Sequence, residues 1–99
     1  MIADRDHSAL PRPKFELGRV VITSNALARL GNNTPLPFLT RHLCGDWGEV
    51  DEHDRQANEH ALAHGDRLLS RYTSPSGVAF YIITEWGRSQ TTIMLPEDY

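Results

Sequence analysis

Arg88, Glu85 and His42 are the side chains of this 99-residue sequence best suited to acid–base work on a phosphodiester. An arginine can hold charge building on phosphate oxygens, while a histidine or carboxylate within one hydrogen bond moves the proton. Arg67, Ser70 and Arg71 precede Glu85 and Arg88 in the last third of the chain, and Ser89, Thr91 and Thr92 lie beside or beyond them. The plainer reading of the same residues is a solvated sheet face with Thr–Thr and Arg–Glu cross-strand pairs. It is favoured, because sheets commonly carry such pairs.

Five histidines invite a metal reading. His60 and His64 are four apart, and His53 falls on the same helical stripe, with His42 and Cys44 as candidates to complete a ligand set. Neither an HExxH motif nor a paired-cysteine knuckle is present, so no metal is expected. His42 and Cys44, two apart on a helix, diverge and make a poor nucleophile pair, and Cys44 reads as a buried structural thiol. GxGxxG and GxxxxGK[ST] loops are missing, so no nucleotide cofactor is expected. Trp47, between glycines, reads first as an anchor for its loop over the core and second as a ring offered to a partner.

The elements that must position these residues are legible in outline. Residues 1–13, with Pro11 and Pro13, read as a flexible tail ahead of a single domain over 14–99. Phe15–Thr23 reads as a strand, and its apolar character on both sides predicts an interior one. Ser24 is the expected N-cap of a short helix closed by Gly31, and Thr34 with Pro35 starts a second, which Gly45 stops. A third helix is expected over about 51–64, capped by Asp51 or a neighbour and ended by Gly65. Its apolar face is thin, and Asp54 and Asn58 share it, so both require partners. Three strand-like runs follow, Arg67–Thr73, Val78–Thr84 and Gln90–Leu95, the first two joined by the turn Ser74-Pro75-Ser76-Gly77. Val78–Ile83 is almost wholly apolar and belongs in the middle of the sheet. The expected fold is α+β: an N-terminal strand, two to three short helices and a C-terminal three-stranded antiparallel β-meander in one sheet of about four strands.

Composition bounds the function. The chain is 39% hydrophobic and 23% charged, within the globular range. A formal charge of −3, from 13 acidic and 10 basic residues, argues against a general phosphate-backbone binder. One cysteine implies no internal disulfide. No apolar run spans a bilayer, and Met1–His7 lacks a signal-peptide pattern, so a cytoplasmic protein without a membrane partner is expected.

Arg41-His42, Gly45-Asp46-Trp47-Gly48, Asp54, Asn58, Arg67-Leu68-Leu69-Ser70 with Tyr72, Ile83-Thr84-Glu85, Arg88-Ser89 and Leu95-Pro96 with Tyr99 form a wider pattern. From Phe15 to Tyr99 it resembles a family of small bacterial proteins of unknown function found on plasmids and integrated elements. The family often has an acid where this chain has Gly87, so no role is carried over there. The resemblance implies that Asp46, Trp47, Asp54, Asn58, Glu85, Arg88 and Thr91 share a polar network. In that arrangement, Asp54 and Asn58 would hold the GDWG loop. The order of elements is also similar to the RelE-type toxin fold.

Two expectations of function follow. The leading one is a non-enzymatic accessory protein of mobile DNA that binds a host or element-encoded protein, as a modulator of host defence or regulation. The alternative is a RelE-like RNA-cleaving enzyme using Arg88 with His42 or Glu85. A monomer or a homodimer is expected, the latter joined through an exposed edge of the meander.

Overall fold

The computed structural model describes residues 12–99, so the expected tail lies, apart from Arg12 and Pro13, outside the described residues. The elements run β1 (Arg19–Ile22), α1 (Ser24–Leu30), α2 (Leu36–Leu43), α3 (Glu52–His64), β2 (Leu68–Thr73), β3 (Ala79–Thr84) and β4 (Gln90–Met94), with 3-10 turns at Trp86–Arg88 and Pro96–Asp98. The fold is α+β, with three helices and a four-stranded sheet ordered β1-β4-β3-β2. β2, β3 and β4 form the expected antiparallel meander, with β3 inside it.

β1 departs from expectation. It pairs in parallel with β4, making the sheet mixed, and it lies at an edge instead of the interior. It is also shorter than the apolar run that foretold it. Gly18 has φ +65°, and a Cβ there would overlap the Ser89 and Arg88 carbonyls, so the chain bends as it passes the β3–β4 turn. Phe15 leaves the ladder altogether and packs near Trp47.

Local chemistry accounts for the helices. Thr23, not Ser24, caps α1, its hydroxyl accepting from the Ala26 amide at 3.1 Å. α2 starts one residue later than expected, with Pro35 and not Thr34 at the cap, although the Thr34 hydroxyl still accepts from the Leu36 amide at 3.3 Å. Asp51 caps α3 through the Asp54 amide, and Gly65 closes it in the left-handed region.

Along the strands, alternate residues build the core. Tyr72, Phe80, Ile82, Ile93 and Leu95 meet Ala26 and Leu30 of α1 and Leu39 of α2 on the inner face. Burying each large side chain there contributes about 1.5–3 kcal/mol. A smaller cluster, Trp47, Ala61 and Leu68, ties α3 to the sheet and gathers Phe15, Val50 and Leu62. Cys44 is half-buried, not the enclosed thiol expected, because α2 ends there beside the surface loop.

Candidate functional site

His42 is fully enclosed. Its Nδ1 lies 2.6 Å from Ser70 Oγ and its Nε2 2.9 Å from Thr84 Oγ1. Thr84 Oγ1 is 2.7 Å from Thr91 Oγ1, and the Thr91 hydroxyl donates to the Leu17 carbonyl at 2.7 Å. That carbonyl can only accept, which fixes the direction of each bond as far as His42 Nε2. Thr91 spends its hydrogen on Leu17 and so accepts from Thr84. Thr84 in turn accepts from His42 Nε2–H, leaving Nδ1 to accept from Ser70. With the ring kept neutral by burial, its one proton sits on Nε2. Burial, helped by the positive charge of Arg88, pushes its pKa down to about 3.

A hydroxyl donating to a neutral imidazole is the arrangement of an activated nucleophile. Here Ser70, His42, Thr84 and Thr91 are all buried. Edge-on contacts of His42 with Phe15 at 5.2 Å and Trp47 at 5.6 Å help close the site. The array works as a pin holding α2, β2, β3, β4 and the segment before β1 together.

Arg88 is likewise committed. Its guanidinium donates to the carbonyls of Asp66, of Ala61 at 2.9 Å and of Glu85 at 3.5 Å, and it lies over the Phe15 ring at 5.6 Å. The Ala61 carbonyl is one of the last of α3, so Arg88 caps that helix from a distant turn, at the negative end of its dipole. To do so it adopts φ +62°, a left-handed conformation uncommon outside glycine. Glu85 offers its backbone to Gln90 and Arg88, and no hydrogen bond to its carboxylate occurs among the described residues. The expected pairing of Arg88 with an accessible His42 is therefore not formed.

The other network candidates separate into local groups. Asp46 accepts from Arg41 Nε at 2.8 Å and from the Gly48 amide at 3.2 Å, and that hydrogen bond from Arg41 holds its carboxyl below the usual range. The Tyr72 hydroxyl donates to the Asp46 carbonyl at 2.5 Å. Trp47 is buried, and its indole N–H donates to Glu59 Oε2 at 2.8 Å, so the loop-anchor role holds. Glu59, which sequence reasoning passed over, supplies the helical partner that Asp54 and Asn58 were expected to supply.

Asn58 holds the sheet instead of the loop. Its Nδ2 donates to the Leu69 carbonyl at 2.7 Å and its Oδ1 accepts from the Leu69 amide at 3.1 Å, imitating a neighbouring strand. Asp54 is exposed, with His53 Nδ1 3.5 Å from its carboxylate.

The GDWG loop performs the same service two residues further along. The Arg71 amide donates to the Trp47 carbonyl at 3.1 Å, and the Glu49 amide donates to the Arg71 carbonyl at 2.7 Å. The outward backbone groups of Leu69 and Arg71 are thus all paired, which covers most of the free edge of the meander, the expected dimer surface.

Among the described residues, nothing pairs with the opposite edge. Beside β1 runs an apolar groove of about 500 Å³ lined by Leu17, Val20, Leu36, Leu39, Thr40 and Leu43. Val20 is 44% exposed and Leu36 65%. A polar trough of about 350 Å³ lies on the other sheet face between Asp54, Arg67, Tyr81 and Tyr99, where Arg67 stacks on Tyr99 and bonds its hydroxyl.

The histidine stripe does not converge. His60 and His64 stack on each other at 4.0 Å, while His53 stands apart with Asp51 and Asp54. Among the described residues those last three are the one group whose donor atoms could meet a metal ion, and all are exposed. No helix among them is long and apolar enough to cross a membrane. No protein-family model, curated protein or solved structure matches this chain.

Proposed function

We propose that this chain is a non-catalytic binding module that engages a host or element-encoded protein through the β1–α2 face. The observation that carries the reading is the asymmetry of the sheet. One edge is closed by a side-chain amide and a loop, while among the described residues the other is left open beside exposed Val20 and Leu36. Exposed apolar side chains gathered at one groove mark interaction surfaces more often than scattered ones do. A role on mobile DNA, modulating host defence or regulation in the cytoplasm, belongs to the same proposal and rests on the resemblance of the GDWG and RS…TT…LP pieces.

The RNA-cleaving alternative requires His42 or Glu85 and Arg88 to face one phosphate. With His42 enclosed and the Arg88 guanidinium engaged by three carbonyls, the binding reading has the stronger support.

Capture from bacterial lysate by the tagged chain, with and without nuclease, tests the reading when run beside Leu36→Asp. That change falls at the start of α2, where an acid suits the helix dipole, so the fold is expected to survive. The expected result is a protein retained after nuclease treatment and lost with Leu36→Asp. Recovery of RNA alone, abolished by nuclease and indifferent to Leu36, would overturn it.

A further inference from the structure

We infer that β1 accepts an extended segment of the partner protein as a fifth strand, apolar at alternate positions and acidic at the flank beside Arg19 and Lys14. This deepens the binding reading above and rests on it. The Arg19 amide donates to the Ser89 carbonyl and the Thr23 amide to the Ile93 carbonyl, both at 3.0 Å, and β1 keeps parallel register with β4 between them. Residues 19, 21 and 23 therefore turn their backbone toward β4, and Val20 and Ile22 turn theirs outward. Two donors and two acceptors stand on that edge, repeating about every 6.6 Å, and no hydrogen bond reaches them among the described residues. Only another extended backbone matches groups in that line.

The groove sets the side-chain pattern. Val20 and Ile22 share the inner face with their partners Thr91 and Ile93, the face that α2 covers. The groove continues that face past the edge of β1, so every second residue of an added strand falls onto Leu17, Val20 and Leu36. The intervening residues lie on the outer face with Arg19. Arg19 and Lys14 are exposed at the start of β1 beside Glu16, which favours an acid at that flank, while Asp98, held by Thr23 and Asn25, stands at the other end.

A second copy is the poorer occupant. Antiparallel pairing of two β1 strands brings both Arg19 side chains onto one outer face, and four residues give only about 13 Å of ladder. A stable dimer needs about 1,200 Å² or more of buried surface.

The test is a titration of the ¹⁵N-labelled chain with a synthetic peptide, Asp-Glu-Val-Thr-Ile-Thr-Val-Glu, capped at both ends. Repeating it with a chain beginning at Arg12 removes any competition from residues 1–11. The expected result is binding with slowed hydrogen exchange at the Val20 and Ile22 amides. Exchange at Leu69 and Arg71, already paired, stays unchanged. Val20→Pro deletes an outward donor and no β4 bond, so it weakens binding tenfold or more, while Val20→Thr stays within threefold of the parent. If Val20→Pro does not fold, N-methylation of the peptide supplies the same test: methyls on one alternate set of amides abolish binding and on the other set leave it intact. Lysine in place of the flanking acids costs at least tenfold.

Equal binding by both methylated sets would overturn strand addition. If Leu36→Asp still released the lysate protein, the binding module itself would stand. Failure of peptide and lysate capture together would remove both readings. A dimer broken by Val20→Pro would make the occupant a second copy and overturn the inference.

Discussion

His42 Nε2 donates its proton to Thr84 Oγ1 across 2.9 Å, and the carbonyl of Leu17, two hydroxyls further on, dictates that direction. Because the folded pKa is lowered to about 3 from an ordinary 6.5, the unfolded chain binds the proton first as pH falls. Stability is therefore unaffected by this group above pH 6.5. It declines between 6.5 and 3 with a slope of at most about 1.4 kcal/mol per pH unit. Urea unfolding between pH 4.5 and 6.5, above most carboxylate titration, reads that slope. His42→Leu is expected to flatten the slope and to cost about 2–4 kcal/mol at pH 7, since Ser70 and Thr84 each lose a buried partner. A flat wild-type profile would mean that the enclosed histidine is charged.

Arg88→Ala removes the distant cap of α3 and its contact with Phe15, with an expected loss of about 1–3 kcal/mol. Lysine should rescue less than half of that loss, because one ammonium cannot span the Asp66, Ala61 and Glu85 carbonyls as the guanidinium does. Glycine relieves the φ of +62° and should lose less than alanine. Chemical denaturation of the three variants gives the order Lys, Gly, Ala from most to least stable. An alanine variant as stable as the parent would show that the cap contributes nothing.

Asn58→Leu is close in volume and cannot imitate a strand. It uncovers the Leu69 amide and carbonyl, and the expected cost is about 2 kcal/mol. Native-state hydrogen exchange should quicken at Leu69 well before Ser70, whose amide faces β3. Uniform quickening along β2 would point to global destabilisation instead of a lost clamp.

Gly48→Ala meets both obstacles that can confront a Cβ. The backbone sits at φ +74°, and the added atom would overlap the Arg71 carbonyl and the Tyr72 ring. A loss of about 3 kcal/mol or more is expected, with Gly65→Ala, in open space at a similar φ, losing only about 1. Thermal unfolding of the pair separates crowding from backbone strain; equal losses would leave only the strain.

Much of the fold was legible because local rules wrote it. The 74–77 turn, the apolar run of β3 and the caps at Asp51 and Gly65 each fix their own neighbourhood. The position of β1 was not, since apolar residues on both sides of a strand look alike whether the second side meets a sheet neighbour, a helix or a groove. Asn58 was visible as a polar residue on a helix's apolar face, but its partner is a backbone amide, which leaves no mark in sequence. The buried array did leave one: Ser70 lies between Leu68 and Tyr72 in the inward alternation, and Thr84 continues the inward series of Phe80 and Ile82. Polar residues in an inward register call for a polar partner, and a histidine on an amphipathic helix is the natural supplier. Arg88 read as a catalytic candidate because its chemistry is visible in the sequence, while its engagement with three carbonyls is not.

The clamp of Asn58 on Leu69 also governs what kinds of assembly are open to this protein. A sheet with two receptive edges can add chain after chain without limit, the geometry from which fibrils grow. With one edge held by Asn58 and the backbone of the GDWG loop, this sheet can be extended once and then stops. Any complex built by pairing at β1 is finite, and reopening the way to filaments would need the loop's hold on Arg71 lost along with Asn58.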